Sequence, residues 1–211
     1  MYYNLTALIL SREPFREDDL LATVYSAEKG KIVLQARSAK KIKSKLAGHL
    51  EPVTLSNLNV TIGKNIDQLI GAQIIKPFTI IKNDIKKLAY ASYFLELINS
   101  LTQENHPDKR IFYLLEKSFD YLAKTDSNYP LIRISFGYKL LHLLGFNPTQ
   151  KLTVKLKDQV NYIVKNNVNN IIKNTSIIKN LSALNKILDQ ELEIHLEKEL
   201  KTKEFLKKLK N

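Results

Sequence analysis

The sequence predicts an α+β protein of two parts: an N-terminal five-stranded OB-fold β-barrel over residues 1–80, then an all-α domain over 81–211. Three observations predict it. Up to about residue 80 apolar residues alternate or run in short pieces separated by turn residues, as strands do. From Asn83 the apolar period becomes helical. A long connection follows the third strand, which suits a small closed Greek-key barrel better than an open sheet. An SH3-like barrel is the alternative.

The five strand candidates are Tyr2–Leu10, Leu20–Ser26, Lys31–Ala36, Glu51–Ile62 and Ile66–Phe78. Between the second and third stands Ala27-Glu28-Lys29-Gly30, where Gly30 can take positive φ and close a hairpin. Gly63-Lys64-Asn65 reads as a second tight turn. Asn83 or Asp84 can cap the first long helix, whose apolar residues over Leu88–Leu101 cover nearly its whole circumference, so it belongs inside a bundle. Pro107 is placed for the first turn of a second helix carrying Ile111, Leu114, Leu115, Ser118, Phe119 and Leu122. Pro130 opens a third, Leu131–Leu144, which Gly145 closes. Thr149–Asn180 is polar, Asn-rich and locally basic; its short apolar groups fit strand or helix, so it reads as irregular. A last helix is expected from Asp189 to Leu209, with Leu192, Leu196 and Leu200 on one stripe.

The chain has 211 residues, enough for one moderate core or two small ones, and a net charge of +12. Lysine far outnumbers arginine and Asn and Ile are abundant, a pattern that coding bias alone can produce, so the position of the charge matters more than its sum. Glu191–Lys210 mixes glutamates and lysines and nearly cancels. Lys29–Leu50, by contrast, holds Lys29, Lys31, Arg37, Lys40, Lys41, Lys43 and Lys45 with no acidic residue. A strand that delivers such a loop to the surface makes a field able to hold a polyanion, because phosphates relieve the repulsion among the lysines. The alternative is a merely solvated loop.

Several classes are excluded or disfavoured. Cysteine is absent, which removes disulfides, thiol nucleophiles and thiolate zinc sites. No apolar run approaches the roughly twenty residues of a membrane span, and the N-terminus lacks a signal-peptide pattern, so a cytoplasmic protein is expected. His49, His106, His142 and His195 stand alone, without metal-sharing spacing, and His142 in Leu140–Leu144 reads as a core or boundary histidine. Glu17-Asp18-Asp19 is the one acidic cluster; it fits a solvated loop or ion pairs with Arg12 and Arg16 better than a cation site. No constellation for catalysis is present and no cofactor is expected.

Four blocks in order, Ala7–Leu21, Glu28–Ile32, Ala36–Lys41 and Ser44–Pro52, resemble successive blocks of the bacterial RecO family. In the helical half Leu88–Leu97, Leu141–Phe146 and Leu200–Leu206 resemble segments of its second domain. The resemblance implies a recombination mediator in DNA repair that binds single- and double-stranded DNA through its OB domain and anneals complementary strands. It also implies action with RecR, engagement of the acidic, apolar-ended tail of single-strand-binding protein, help for RecA to load, and no hydrolysis. Many family members carry a four-cysteine zinc module after the Leu-Gly-Phe-type segment; here a cysteine-free stretch follows Phe146.

On an OB barrel the second and third strands form the binding face, flanked by the loops between strands one and two and between four and five. That places Arg12, Phe15 and Arg16 in one flanking loop and Lys64 in the other. Lys29, Lys31 and Arg37 lie along or at the ends of the central hairpin. Lys40, Lys41, Lys43 and Lys45 form a mobile basic arm. Lysine is a point charge with no demand for base-edge geometry, so sequence-neutral phosphate contact is expected. Phe15 is the candidate for stacking on an unpaired base, or else folds over the barrel mouth as a plug; Tyr25 reads as core. A generic basic OB protein that binds RNA is the rival reading.

Overall fold

The computed structural model describes residues 1–41, 44, 46–146, 152–196 and 199–208. Five strands, β1 (Tyr2–Phe15), β2 (Asp19–Ser26), β3 (Gly30–Ala36), β4 (Leu55–Thr61) and β5 (Asp67–Lys76), close into a barrel in the order β1-β2-β3-β5-β4. Neighbours are antiparallel except β3 and β5, which run parallel. A four-residue helix, α1 (Leu46–His49), sits in the connection between β3 and β4. This is the OB arrangement that the strand count and the long third connection predict.

The first strand runs five residues past its expected end. A bulge between Ile9 and Ser11 leaves Leu10 without a partner on β2, and the bend it introduces lets β1 curl onward to pair Phe15 with Asp19. The bulge also explains the continuous apolar run Ala7–Leu10. Leu5, Ala7 and Ile9 fill the barrel with Ala22, Val24, Leu34 and Leu58, whereas Leu8, Leu10 and Tyr25 face outward into the helical core. Both faces of this sheet segment are buried, so apolar residues are required on both.

The helices are α2 (Thr79–Lys82), α3 (Ile85–Leu101), α4 (Lys109–Lys124), α5 (Tyr129–Leu143), α6 (Val154–Lys165), α7 (Val168–Lys173), α8 (Thr175–Lys179), α9 (Leu181–His195) and α10 (Lys201–Lys208). Asp84, not Asn83, caps α3, its carboxylate accepting from the backbone N–H of Lys86 at 2.8 Å and of Lys87 at 3.0 Å. Asp108 caps α4, so Pro107 lies just outside the helix rather than in its first turn. The α5 helix is buried on all sides from Leu131 to Tyr138, with Arg133 held by Asp189, by Asn185 Oδ1 at 2.6 Å and by Tyr93 Oη at 3.0 Å.

Two expectations are corrected. The stretch read as irregular is helical where described: Val160, Ile163, Val168, Ile171 and Ile177 are spaced to bury one side of three short helices, each N-terminal turn opened by Thr153, Asn167 or Asn174. Residues 147–151 lie outside the described residues. The single last helix is two helices, α9 beginning eight residues early at Leu181 and α10 beginning at Lys201. Glu96 of α3 supplies the start of α10, accepting from the backbone N–H of Lys201 and Thr202 at 3.0 Å each and from Thr202 Oγ1 at 2.5 Å. A tertiary partner thus opens α10, which no local pattern reveals.

Barrel and helices share one seam. The hairpin turn β2–β3 lies on the loop before α4: the Asn105 N–H donates to the Lys31 carbonyl at 2.9 Å, and Tyr25 Oη donates to the Asp108 carbonyl at 3.3 Å. Gly30 holds φ +67°, and a Cβ there would stand 2.4 Å from the His106 carbonyl oxygen, so both the turn and the close approach require glycine. Lys76 at the end of β5 ties the far side to α4 through Glu116 at 2.7 Å and Asp120 at 3.6 Å. Among the described residues no helix is long and apolar enough to cross a membrane.

Candidate nucleic-acid interface

The register decides which candidate side chains can face a ligand. Strand residues that pair share a face, so Phe15, across from Asp19, points outward, as do Leu21 and Gln35, whose paired neighbours Leu20 and Ala36 fill the core. Arg12 pairs with the core residue Ala22 and lies within β1, not in a loop. Its guanidinium turns under the barrel to Glu51 Oε1 at 2.6 Å and to the Ala47 carbonyl at 3.0 Å, fixing α1. Lys31 is likewise drawn off the open face: its Nζ donates to the Asn99 carbonyl of α3 at 2.6 Å. Both do structural work that the bare sequence pattern hides.

The remaining candidates fall at two ends of the β2–β3 hairpin. At one end the turn Arg16–Asp18 meets the root of the basic arm. Arg16 and Arg37 are exposed, and Arg16 lies over the Phe15 ring with its guanidinium carbon 5.2 Å from the centroid. Lys40 and Lys41 are exposed beside them. At the other end Lys29 sits over the Tyr3 ring, 4.3 Å from its centroid, and Lys64 projects from the β4–β5 loop. The parallel pairing of Leu34 with Asp67 puts that loop beside the start of β3. Gly63 is dictated by this turn, because a Cβ would stand 1.9 Å from the Ile66 carbonyl oxygen. Seven strand residues separate the two ends, about 20 Å at the usual rise, and of the outward residues between them Leu21, Thr23 and Val33 are half-buried while Tyr25 and Lys31 are taken up by the helices. Lys43 and Lys45 lie outside the described residues.

Among the described residues no ion pair closes on Arg16, Lys29, Arg37, Lys40 or Lys64, whereas Lys41 lies 3.4 Å from Asp18. The acidic cluster does not form a cation site. Asp19 accepts from the Ser38 N–H at 2.8 Å and from Gln35 Nε2 at 2.6 Å, one donor on each oxygen, and these contacts hold its carboxyl below the usual carboxylate range. Phe15 is half-buried at the edge of the face. Tyr25 is core, as expected: it is fully buried against the helices, and burial pushes its hydroxyl up to about 12.

A second cationic feature lies on the helical domain. Between α4, α5 and the α6–α7 turn runs a groove of about 1090 Å³. Its walls carry Tyr113, Leu114, Tyr121, Ile132, Leu143, Val164 and Ile172, and its rim carries Arg110, Lys117, Lys124, Lys139 and Lys165. Asp120 is the one carboxylate among the lining residues, and it stands 3.6 Å from Lys76, whose nearer partner is Glu116. Lys139 Nζ donates to the Asn166 carbonyl at 2.6 Å; burial first, then the neighbouring Lys117, hold its pKa below that of an ordinary lysine. His142, expected in the core or at its boundary, is exposed on this groove's wall. The sequence carried a signal for the groove: Arg110, Lys117 and Lys124 recur every seven residues, which aligns them on one stripe of α4.

Comparison with known proteins covers both halves. Residues 1–78 match the family described as Recombination protein O N terminal, and residues 82–161 match Recombination protein O C terminal. A protein of Pelotomaculum thermopropionicum called DNA repair protein RecO is 30% identical over 146 residues, 69% of this chain and 56% of that protein. Proteins of the same name from Desulforamulus reducens and Listeria monocytogenes serotype 4a are 32% and 33% identical, over 69% and 67% of this chain and 56% and 55% of theirs. The chain therefore spans little more than half the length of these curated relatives.

Proposed function

Because the chain belongs to the RecO family, whose curated members are DNA repair proteins, we propose that it is a recombination mediator that binds single- and double-stranded DNA and anneals complementary strands without chemistry on them. The observation that carries this reading is the set of exposed cations at the two ends of the β2–β3 hairpin, Arg16, Arg37, Lys40 and Lys41 at one and Lys29 and Lys64 at the other. Charge neutralisation at the two ends lets two strands approach, and an uncharged middle built from Leu21, Thr23 and Val33 leaves bases unclamped and able to pair. Lysines dominate, so the grip follows phosphates and ignores sequence. Arg12 and Lys31 fall outside the proposed contact set, and Lys43 and Lys45 belong to it on their sequence alone.

The helical groove supports a second element of the reading. An acidic segment ending in apolar side chains, such as the tail of single-strand-binding protein, would place its apolar end between Leu114, Tyr121 and Ile172 and its carboxylates on Lys117, Lys139 and Lys165. RecR and, indirectly, RecA complete the proposed partners.

Strand annealing of complementary oligonucleotides, with and without single-strand-binding protein, tests the reading. The protein should accelerate annealing of bare strands and retain most of that rate on coated ones. Failure on bare strands rejects the barrel face as the site; failure on coated strands alone rejects the groove's role.

A further inference from the structure

The turn between β1 and β2 and the root of the basic arm are zipped together. The Asp18 carbonyl accepts from the Lys40 N–H at 2.9 Å, and the Asp19 carboxylate fixes Ser38 and Gln35 beside it. Arg16 and Ser38, neither of them glycine, hold left-handed φ values of 52° and 54° on the two sides of the zip, conformations kept only where surrounding contacts over-determine them. The same turn then engages the arm's cations. Lys40 Nζ donates to the Glu17 carbonyl at 2.5 Å, and Lys41 Nζ stands 3.4 Å from Asp18 Oδ2. These are two of the ammonium groups the DNA reading assigns to phosphate.

A carboxylate carries the charge a phosphate carries, so an ammonium turned toward Asp18 is already partly neutralised and is aimed away from an incoming strand, which competes with the aspartate for it. We propose that Asp18, with the Glu17 carbonyl, is an internal stand-in for phosphate: it turns Lys41 and Lys40 into a clasp that competes with an incoming strand for their charge and that re-forms to speed the strand's release. The inference rests on the barrel-face reading above. Lys41 and Asp18 are both partly exposed, 58% and 43% by side chain, so the clasp is weak enough to open on contact. A mediator that anneals has to give up its product, and a built-in competitor shortens the bound lifetime without removing a single cation from the surface.

The test is a double-mutant cycle on Asp18→Asn and Lys41→Gln, read as the dissociation constant for a thirty-residue oligothymidylate at low salt. Asp18→Asn keeps the backbone carbonyl that Lys40 N–H uses, and an unchanged melting temperature confirms the fold. The expected result is about two- to fivefold tighter binding for Asp18→Asn alone, the value of an exposed ion pair, and no tightening when Lys41 is already Gln. Without DNA, trypsin should cut after Lys40 and Lys41 about two- to fivefold faster in Asp18→Asn, because cleavage follows the opened population. Equal tightening in both backgrounds overturns the clasp, since the aspartate then acts by simple repulsion of DNA. Unchanged binding in Asp18→Asn, in a protein whose Lys40 and Lys41 do contribute, overturns the clasp and leaves the barrel-face reading standing. A wild-type chain that does not bind the oligonucleotide rejects both, whatever trypsin shows.

Discussion

The barrel face and the helical groove are both ringed by cations, and they differ in what lies between the charges. On the barrel the cations stand at the two ends of the β2–β3 hairpin, on a turn, an arm and a loop. In the groove five cations surround a concave floor of tyrosine and aliphatic side chains, and one of them, Lys139, is half-buried with its ammonium on the Asn166 carbonyl. A flat cationic face binds by counterion release and is strongly salt-dependent; a concave one with apolar walls binds shape and burial as well as charge. Equal charge therefore does not mean equal partner, and the two sites can be separated experimentally.

The largest separation should be in salt dependence. If five to seven cations of the face engage single-stranded phosphates, the log–log slope is about −3.5 to −5, a loss of roughly 10²–10³ in affinity between 50 and 200 mM salt. Reversing Lys40, Lys41 and Lys43 to Glu should flatten that slope by about 2 while the melting temperature holds. Fluorescence anisotropy across a salt series reads it; an unchanged slope moves the site off the barrel, to the cations of the helical half.

Next comes the seam that holds the two sites in fixed relation. Gly30→Ala puts a methyl into the His106 carbonyl and strains a positive φ, and should cost about 2–3 kcal/mol of stability, seen as a lower urea midpoint. A change of less than about 0.5 kcal/mol would mean that barrel and helices are loosely joined. For the groove, Lys117→Glu with Lys139→Glu should weaken an acidic, apolar-ended peptide by about 10–100-fold and leave the DNA salt slope unchanged. Burial and Lys117 depress Lys139, so its positive charge is lost before that of exposed lysines as pH rises; peptide binding measured by calorimetry should therefore weaken on the alkaline side earlier than DNA binding does. Loss of DNA binding in the groove variant would erase the distinction between the sites.

How much of this was legible depended on whether the cause was local. Strands β2 and β3, the hairpin glycine and the helices α3 and α5 follow from apolar period and turn chemistry, and the structure places them within a few residues of the expected bounds. The far end of β1 is not legible because a bulge, not a pattern, carries the strand on past Leu10. Likewise α10 is not separable by sequence from the helix before it, because its opening is set by Glu96, more than a hundred residues away. At the candidate site the kinds of residue were legible and their engagements were not. Arg12 and Lys31 read as cations like any other, yet a guanidinium paired to Glu51 and an ammonium on a helix carbonyl are products of the tertiary fold. The groove shows the reverse case: three cations spaced by seven on α4 were visible, but their meaning depended on α6 and α7, whose Asn-rich sequence has weak periodicity.

The smallest effect asks whether the flat face also has a contact that salt does not touch. Phe15 lies half-buried at the outward edge of β1, across from Asp19, with the Arg16 guanidinium over its ring. A ring in that position can accept a base on its exposed side, where stacking is worth roughly 1–3 kcal/mol, or can simply cover the barrel mouth. The two roles separate cleanly. Stacking gives an affinity loss of about fivefold or more for Phe15→Ala at every salt concentration, because stacking releases no counterions, with Phe15→Tyr restoring it. A plug gives a lower urea midpoint instead, with DNA affinity per folded molecule unchanged. The first outcome would make the barrel face more like the groove than its charge pattern suggests, and the second would leave it held by charge alone.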